Sequence, residues 1–161
     1  LNAAVAAIVA LTLTGAGLLI AAHQVRDTPA AANHALTDTT ATEQVTGEIS
    51  TALAKIFSYT PEGTEATRRS AAEVLGGRAA AQYEELFGQL RERVAAQRLT
   101  LSTQVVRAGV ERLDGDSAHL LFFLDQTARR GDKAPTRVPA QLSVTAHKEE
   151  GQWRIVELKA R

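Results

Sequence analysis

Residues 99–105 read Leu-Thr-Leu-Ser-Thr-Gln-Val, and the reading of this stretch decides the fold. Leu99, Leu101, Thr103 and Val105 alternate with Thr100, Ser102 and Gln104. Side chains of an extended chain point alternately to opposite sides, so the pattern predicts a half-buried strand. Just upstream, Tyr83, Leu86, Phe87, Leu90 and Val94 recur at helical spacing and predict a helix over residues 78–97. The apolar period therefore falls from about 3.6 to 2 at Leu99.

Working toward the C-terminus, the first strand runs to Leu113, with Gly109 a candidate bulge or bend. Asp114–Gly115 signals a hairpin turn. A second strand over residues 117–128 carries Leu120, Phe122 and Leu124 on one face and Leu121 and Phe123 on the other, which implies cover on both sides or one wall of a cavity. Residues 129–136 form a polar, basic loop. A third strand over residues 137–148 directs Val138, Ala140, Leu142, Val144 and Ala146 inward. Glu149–Glu150–Gly151 turns the chain into a last strand over residues 152–158, with Trp153 and Ile155 on one face.

Working toward the N-terminus, Gly76–Gly77 reads as a helix cap and turn. A short helix starts at the N-cap candidate Thr64 and reaches Leu75, and Pro61 and Gly63 separate it from a long helix over residues 33–59. Leu36, Val45, Ile49, Leu53 and Ile56 form the apolar stripe of that helix. Helices followed by strands indicate an α+β domain, here three helices packed on a curved four-stranded antiparallel sheet, a cone.

Upstream lies a different kind of segment. Ala3–Ala22 reads AAVAAIVALTLTGAGLLIAA, twenty residues with no charge. At about 1.5 Å rise per residue this spans roughly 30 Å, the thickness of a bilayer's hydrocarbon core. A signal peptide has a shorter apolar core, and a buried helix is normally amphipathic. The expectation is a transmembrane anchor over residues 1–22, a linker over 23–32 and one domain over 33–161. The nearly neutral flank His23–Asp27 permits translocation, so the domain is expected outside the cytoplasm. The absence of methionine at position 1 points to a fragment.

The chain has 161 residues and a formal net charge of +0, which argues against nucleic acid as a partner. With no cysteine, disulfides and thiolate chemistry are excluded. His23, His34, His119 and His147 show no metal-ligand spacing, and there is no phosphate-cradling glycine loop, so no metal or cofactor is expected. Asp125 and His147 are the acid–base candidates, although a sheet-capping carboxylate and a solvent-facing histidine are the commoner roles. Tyr59, Tyr83, Phe122, Asp125 and Trp153 are the candidates for lining a pocket within the cone, with core filling the alternative for the aromatic side chains. The loop Arg129–Arg130–Gly131–Asp132–Lys133 is a candidate contact for anionic headgroups, or simply a solvated hairpin loop.

Several stretches resemble one family. They are Ala35–Leu36–Thr37–Asp38 with Ala41–Thr42 and Val45, then Ile56–Phe57–Ser58–Tyr59, Tyr83, and Val106–Arg107–Ala108–Gly109–Val110. Leu121–Phe122–Phe123–Leu124–Asp125–Gln126 and Gly151–Gln152–Trp153–Arg154–Ile155 follow in the same order. Together with the apolar N-terminal run, they resemble the actinobacterial Mce-associated membrane proteins. The resemblance implies a SnoaL-like domain of the nuclear transport factor 2 type, and a non-enzymatic accessory role in the cell envelope. The implied partners are the bilayer, through Ala3–Ala22, and subunits of an Mce-type lipid-import complex. Two other readings stand beside it: a lipid or small-ligand binding module, and an isomerase- or cyclase-like enzyme.

Overall fold

The computed structural model describes residues 32–161. The apolar run Ala3–Ala22 lies outside the described residues, and no helix within them is long and apolar enough to cross a membrane. The element order is α1 (Thr39–Ile56), α2 (Thr64–Val74), α3 (Gly77–Gln97), β1 (Leu99–Asp114), β2 (Ser117–Arg130), β3 (Thr136–Glu149) and β4 (Gln152–Ala160). The strands form one antiparallel sheet in the order β1-β2-β3-β4, and the three helices pack on one face of it, as the change of period at Leu99 predicts.

The turns follow their chemistry. Asp114 pairs with Ser117 across a two-residue turn whose first residue, Gly115, has φ 53°, a conformation that costs glycine nothing. Glu149 pairs with Gln152, and both turn residues, Glu150 and Gly151, take positive φ (51° and 84°). Beneath the helices, Leu120, Phe122, Leu124, Val144, Ala146, Trp153 and Ile155 meet Val45, Ile49, Leu53 and Ile56 from α1 in one continuous core.

Four expectations are corrected. First, α1 begins at Thr39, because the Asp38 carboxylate accepts a hydrogen bond from the Ala41 amide (2.9 Å) and caps the helix there. Leu36 therefore lies outside the helix and is exposed. The helix also stops at Ile56, because the next residues bind the sheet: Tyr59 and Leu101 exchange backbone hydrogen bonds of 2.9 Å in both directions. Second, α2 is capped by Gly63, with Thr64 already helical and buried. Gly76–Gly77 opens α3, where Gly77 has φ 49° and lies against Val156. Third, β1 does not bulge at Gly109, which pairs in register with Leu121; the register shifts fall between Val105 and Arg107 and between Val110 and Arg112. Fourth, the outer face of β2 is not covered, since Phe123 is 44% exposed. Leu86 and Val138, both expected inward, are also exposed, as none of the described elements packs over that stretch of α3 and β3.

Candidate functional site

The five candidate pocket residues do not line a common cavity. Tyr83, on the inner face of α3, stacks on Phe87 (centroids 5.2 Å apart), and Tyr59 meets Phe87 edge-on at 6.3 Å. The Tyr83 hydroxyl donates to the Ile56 carbonyl (3.0 Å), an acceptor that the end of α1 leaves without a helical partner. Burial pushes the pKa of both tyrosines up; for Tyr59 the nearby Arg130 charge opposes this. Phe122 is fully buried on the inner face of β2, and Trp153 is buried on β4 with the Lys148 ammonium 5.8 Å from its ring.

Asp125 points the other way. Leu124 faces the core, so strand alternation turns Asp125 outward, where it pairs with Arg137 at 3.3 Å. His147 is exposed on β3, as the alternation of its neighbours predicts. The acid–base pair is thus not assembled within the cone.

The polar groups that do enter the interior bind one another. Thr103 donates through Oγ1 to the Phe57 carbonyl (2.7 Å) and accepts from Gln126 Nε2 (3.1 Å), while its amide donates to Ser58 Oγ (2.9 Å). These bonds tie the chain after α1 to β1. Among the described residues, the buried polar side chains are Thr64, Thr67 and Thr103, and no group of three histidine, aspartate or glutamate side chains is placed to hold a metal ion.

Two surface features stand out. An apolar groove of about 450 Å³ runs between α3 and the sheet, lined by Phe57, Tyr83, Leu86, Leu142, Leu158 and Ala160 among others. Leu86 is 67% exposed at its rim. The second is basic. Leu99 pairs with Arg130 and Thr100 with Arg129, so the β2–β3 turn sits beside the end of α3. There the Gly131 amide donates to the Arg98 carbonyl (3.2 Å) and Arg130 Nε to Gln97 Oε1 (3.2 Å). A groove of about 600 Å³ opens between Gln97, Arg98, Arg130, Asp132 and Lys133. The loop was visible in the sequence; Arg98 was not, since only the folded topology brings it alongside.

No protein-family model matches the chain. Two uncharacterized proteins of Mycobacterium tuberculosis (strains CDC 1551 / Oshkosh and ATCC 25618 / H37Rv) are each 29% identical over 123 residues, 75% of this chain. The chain spans 56% of the length of these relatives. The fold is shared more widely. The periplasmic domain of DotI superposes with TM-score 0.66 at 12% identity, over 78% of this chain and 98% of that one. VirB8 of Agrobacterium tumefaciens gives 0.63 at 9% identity, over 77% and 94%. A nuclear transport factor 2-like protein of Salmonella enterica serovar Typhimurium gives 0.54 at 16% identity, over 74% and 92%. The domain thus has the α+β fold common to these proteins, in agreement with the fold that the sequence resemblance implies.

Proposed function

We propose that the chain is a non-enzymatic accessory protein of the cell envelope, held at a membrane by Ala3–Ala22, whose extracytoplasmic domain docks onto a membrane transport complex. The observation that carries this reading is that the candidate acid–base pair is not assembled inside the cone. Phe122 is fully buried, Tyr83 and Trp153 are core side chains, and Asp125 faces outward in an ion pair. A fold that places enzymatic chemistry in its interior would keep an open cavity with an ionisable group aimed into it. The likeness to DotI and VirB8 supports the envelope setting by analogy of fold. The family resemblance supports an Mce-type lipid importer as the complex served.

Purification of the full chain from its own membranes in mild detergent tests the reading. Recovery of transporter subunits in fixed ratio supports it, and genes for an ABC permease pair and Mce subunits beside its own gene would support the Mce assignment. A folded chain that comes away alone overturns it. The alternative, a lipid-binding module, draws on the apolar groove beside Leu86. It predicts one lipid retained per chain and lost in Leu86→Asp, with no protein partner.

A further inference from the structure

The two ends of the sheet differ in charge. One end holds the turns between β1 and β2 and between β3 and β4 and is mixed, with Asp114, Asp116, Glu149 and Glu150 beside Arg112, Lys148 and Arg154. The first described residues are fastened there: the His34 amide donates to the Leu113 carbonyl (2.7 Å), and Asn33 Oδ1 accepts from the Leu113 amide (3.0 Å). The opposite end holds the β2–β3 turn and the end of α3, with Arg98, Arg129, Arg130, Lys133 and Arg137. The fourteen residues of β2 separate the two ends by at most about 45 Å.

Four of the five basic side chains at the far end have no ion-pair partner among the described residues, a state that Arg69, Arg93, Arg107, Lys148 and Arg161 share singly elsewhere. Lys55, Arg68, Arg78, Arg91, Arg112, Arg154 and Lys159 each pair with a carboxylate. Among the described residues, Arg98, Arg129, Arg130 and Lys133 have no carboxylate within ion-pair distance, and Arg137 alone of this end is paired, with Asp125. Clustering like charges costs repulsion unless a partner of opposite sign meets them. Their backbone is nevertheless held in place. Arg98 terminates α3 in a left-handed conformation (φ 45°), Gly131 bonds to it, and the Lys133 amide donates to the Arg130 carbonyl (3.1 Å). The result is a fixed basic rim around a groove of about 600 Å³.

We infer that this rim, centred on Arg98, Arg130 and Lys133, is the face through which the domain docks, and that its partner is an acidic protein surface. The inference rests on the accessory role proposed above and names the contact within it. Charge selects the sign of the partner. The turn Gly131–Asp132–Lys133–Ala134–Pro135 carries no aromatic or large aliphatic side chain to enter a bilayer, and Asp132 and Asp125 interrupt the positive field. A lipid surface is therefore the poorer fit. A single-stranded nucleic acid is poorer still, since among the described residues no exposed aromatic ring lies beside the basic ones to stack on a base.

The test uses the full chain in detergent and a fluorescein-labelled oligoglutamate peptide, with phosphatidylglycerol vesicles and duplex DNA as parallel probes. Binding of the peptide should weaken by about tenfold or more in the R130E/K133E variant at low salt, and weaken likewise as salt is raised. The control E149K/E150K should leave it unchanged or tighten it. The milder R130Q/K133Q variant, with an unchanged thermal midpoint, guards against misfolding. Equal peptide binding by R130E/K133E and the parent overturns the inference, as does tighter binding of vesicles or DNA than of peptide.

Co-purification then separates the two readings. Loss of the partner subunits in R130E/K133E, with cross-links from position 133 to an acidic segment of a subunit, supports the rim as the docking face. Undiminished recovery of subunits by that variant overturns the rim and leaves the accessory role standing. A parent chain that recovers none overturns the role itself.

Discussion

Replacing Tyr83 with phenylalanine removes one oxygen and tests whether this side chain fills the core or serves a pocket. The hydroxyl donates to the Ile56 carbonyl at 3.0 Å, at the point where α1 has ended. Both residues are buried, at 7% and 1% exposure, so water does not readily replace the lost donor. Leaving such an acceptor unmatched costs about 1–3 kcal/mol. For a domain of this size each kcal/mol lowers the thermal midpoint by about 3–5 °C. Tyr83→Leu should cost about 0.5–1.5 kcal/mol more, because the stacking on Phe87 is lost with the ring. Urea unfolding followed by circular dichroism measures both.

A pH series adds an independent check on the same residue. Burial raises the Tyr83 pKa above its ordinary value of 10.0, so the folded state holds its proton where the unfolded chain has released it. The associated stability is fully present below about pH 10 and is lost as pH rises beyond it. In Tyr83→Phe this alkaline loss should be shallower, with Tyr59 supplying the remainder. A Tyr83→Phe variant as stable as the parent, with the same alkaline slope, would refute the reading of the buried Tyr83 hydroxyl as the partner of the Ile56 carbonyl.

Other substitutions probe separate joints. Gly77→Ala should cost about 1–2 kcal/mol in equilibrium unfolding, because φ is 49° there; the neighbouring Val156 atoms, at 3.5 Å and beyond, leave room for the methyl group. Asp125→Asn should cost less than about 1 kcal/mol, since its ion-pair partner Arg137 is 76% exposed, and partner recovery from membranes should be unchanged. Loss of function in that variant with stability intact would argue for the acid–base reading. Asn33→Ala strips the Leu113 amide of its acceptor and should destabilise by about 1–3 kcal/mol, with faster hydrogen exchange at Leu113 and none of that change in the β2–β3 ladder.

The architecture was readable because its signals are local. The change of period at Leu99, the Asp114–Gly115 turn and the Glu149–Gly151 turn each depend on adjacent residues, and the strand limits follow from them. What failed was the assumption that an apolar residue at the right spacing has something to pack against. Leu86 and Val138 lie on the faces expected, yet none of the described elements covers them. Leu36 fits the helical spacing, but Asp38 starts the helix after it. The bulges in β1 are properties of the pairing with β2, which Gly109 does not announce. Of the five pocket candidates, four are large apolar or aromatic side chains that the core absorbs, and Asp125 is placed by strand parity on the outer face. The basic rim was half visible. Arg129, Arg130 and Lys133 adjoin in the chain, whereas Arg98 joins them only once β1 and β2 pair.

The fastening of Asn33 and His34 to the end of β1 has a mechanical side. Any pull that enters the domain through the residues before Ala32 arrives first at a few hydrogen bonds: the Asn33 amide side chain donates to the Glu111 carbonyl and accepts from the Leu113 amide, and the His34 amide donates to the Leu113 carbonyl. Next in line are the Thr42 Oγ1 bond to the Ala35 carbonyl and the Asp38 cap. The core between α1 and the sheet lies behind them. Tension would therefore peel residues 32–38, with the buried Ala35 among them, from the sheet before it reached the core under α1, adding a few residues of slack to the chain ahead of the domain. The domain carries its own fuse where residue 32 leads into it.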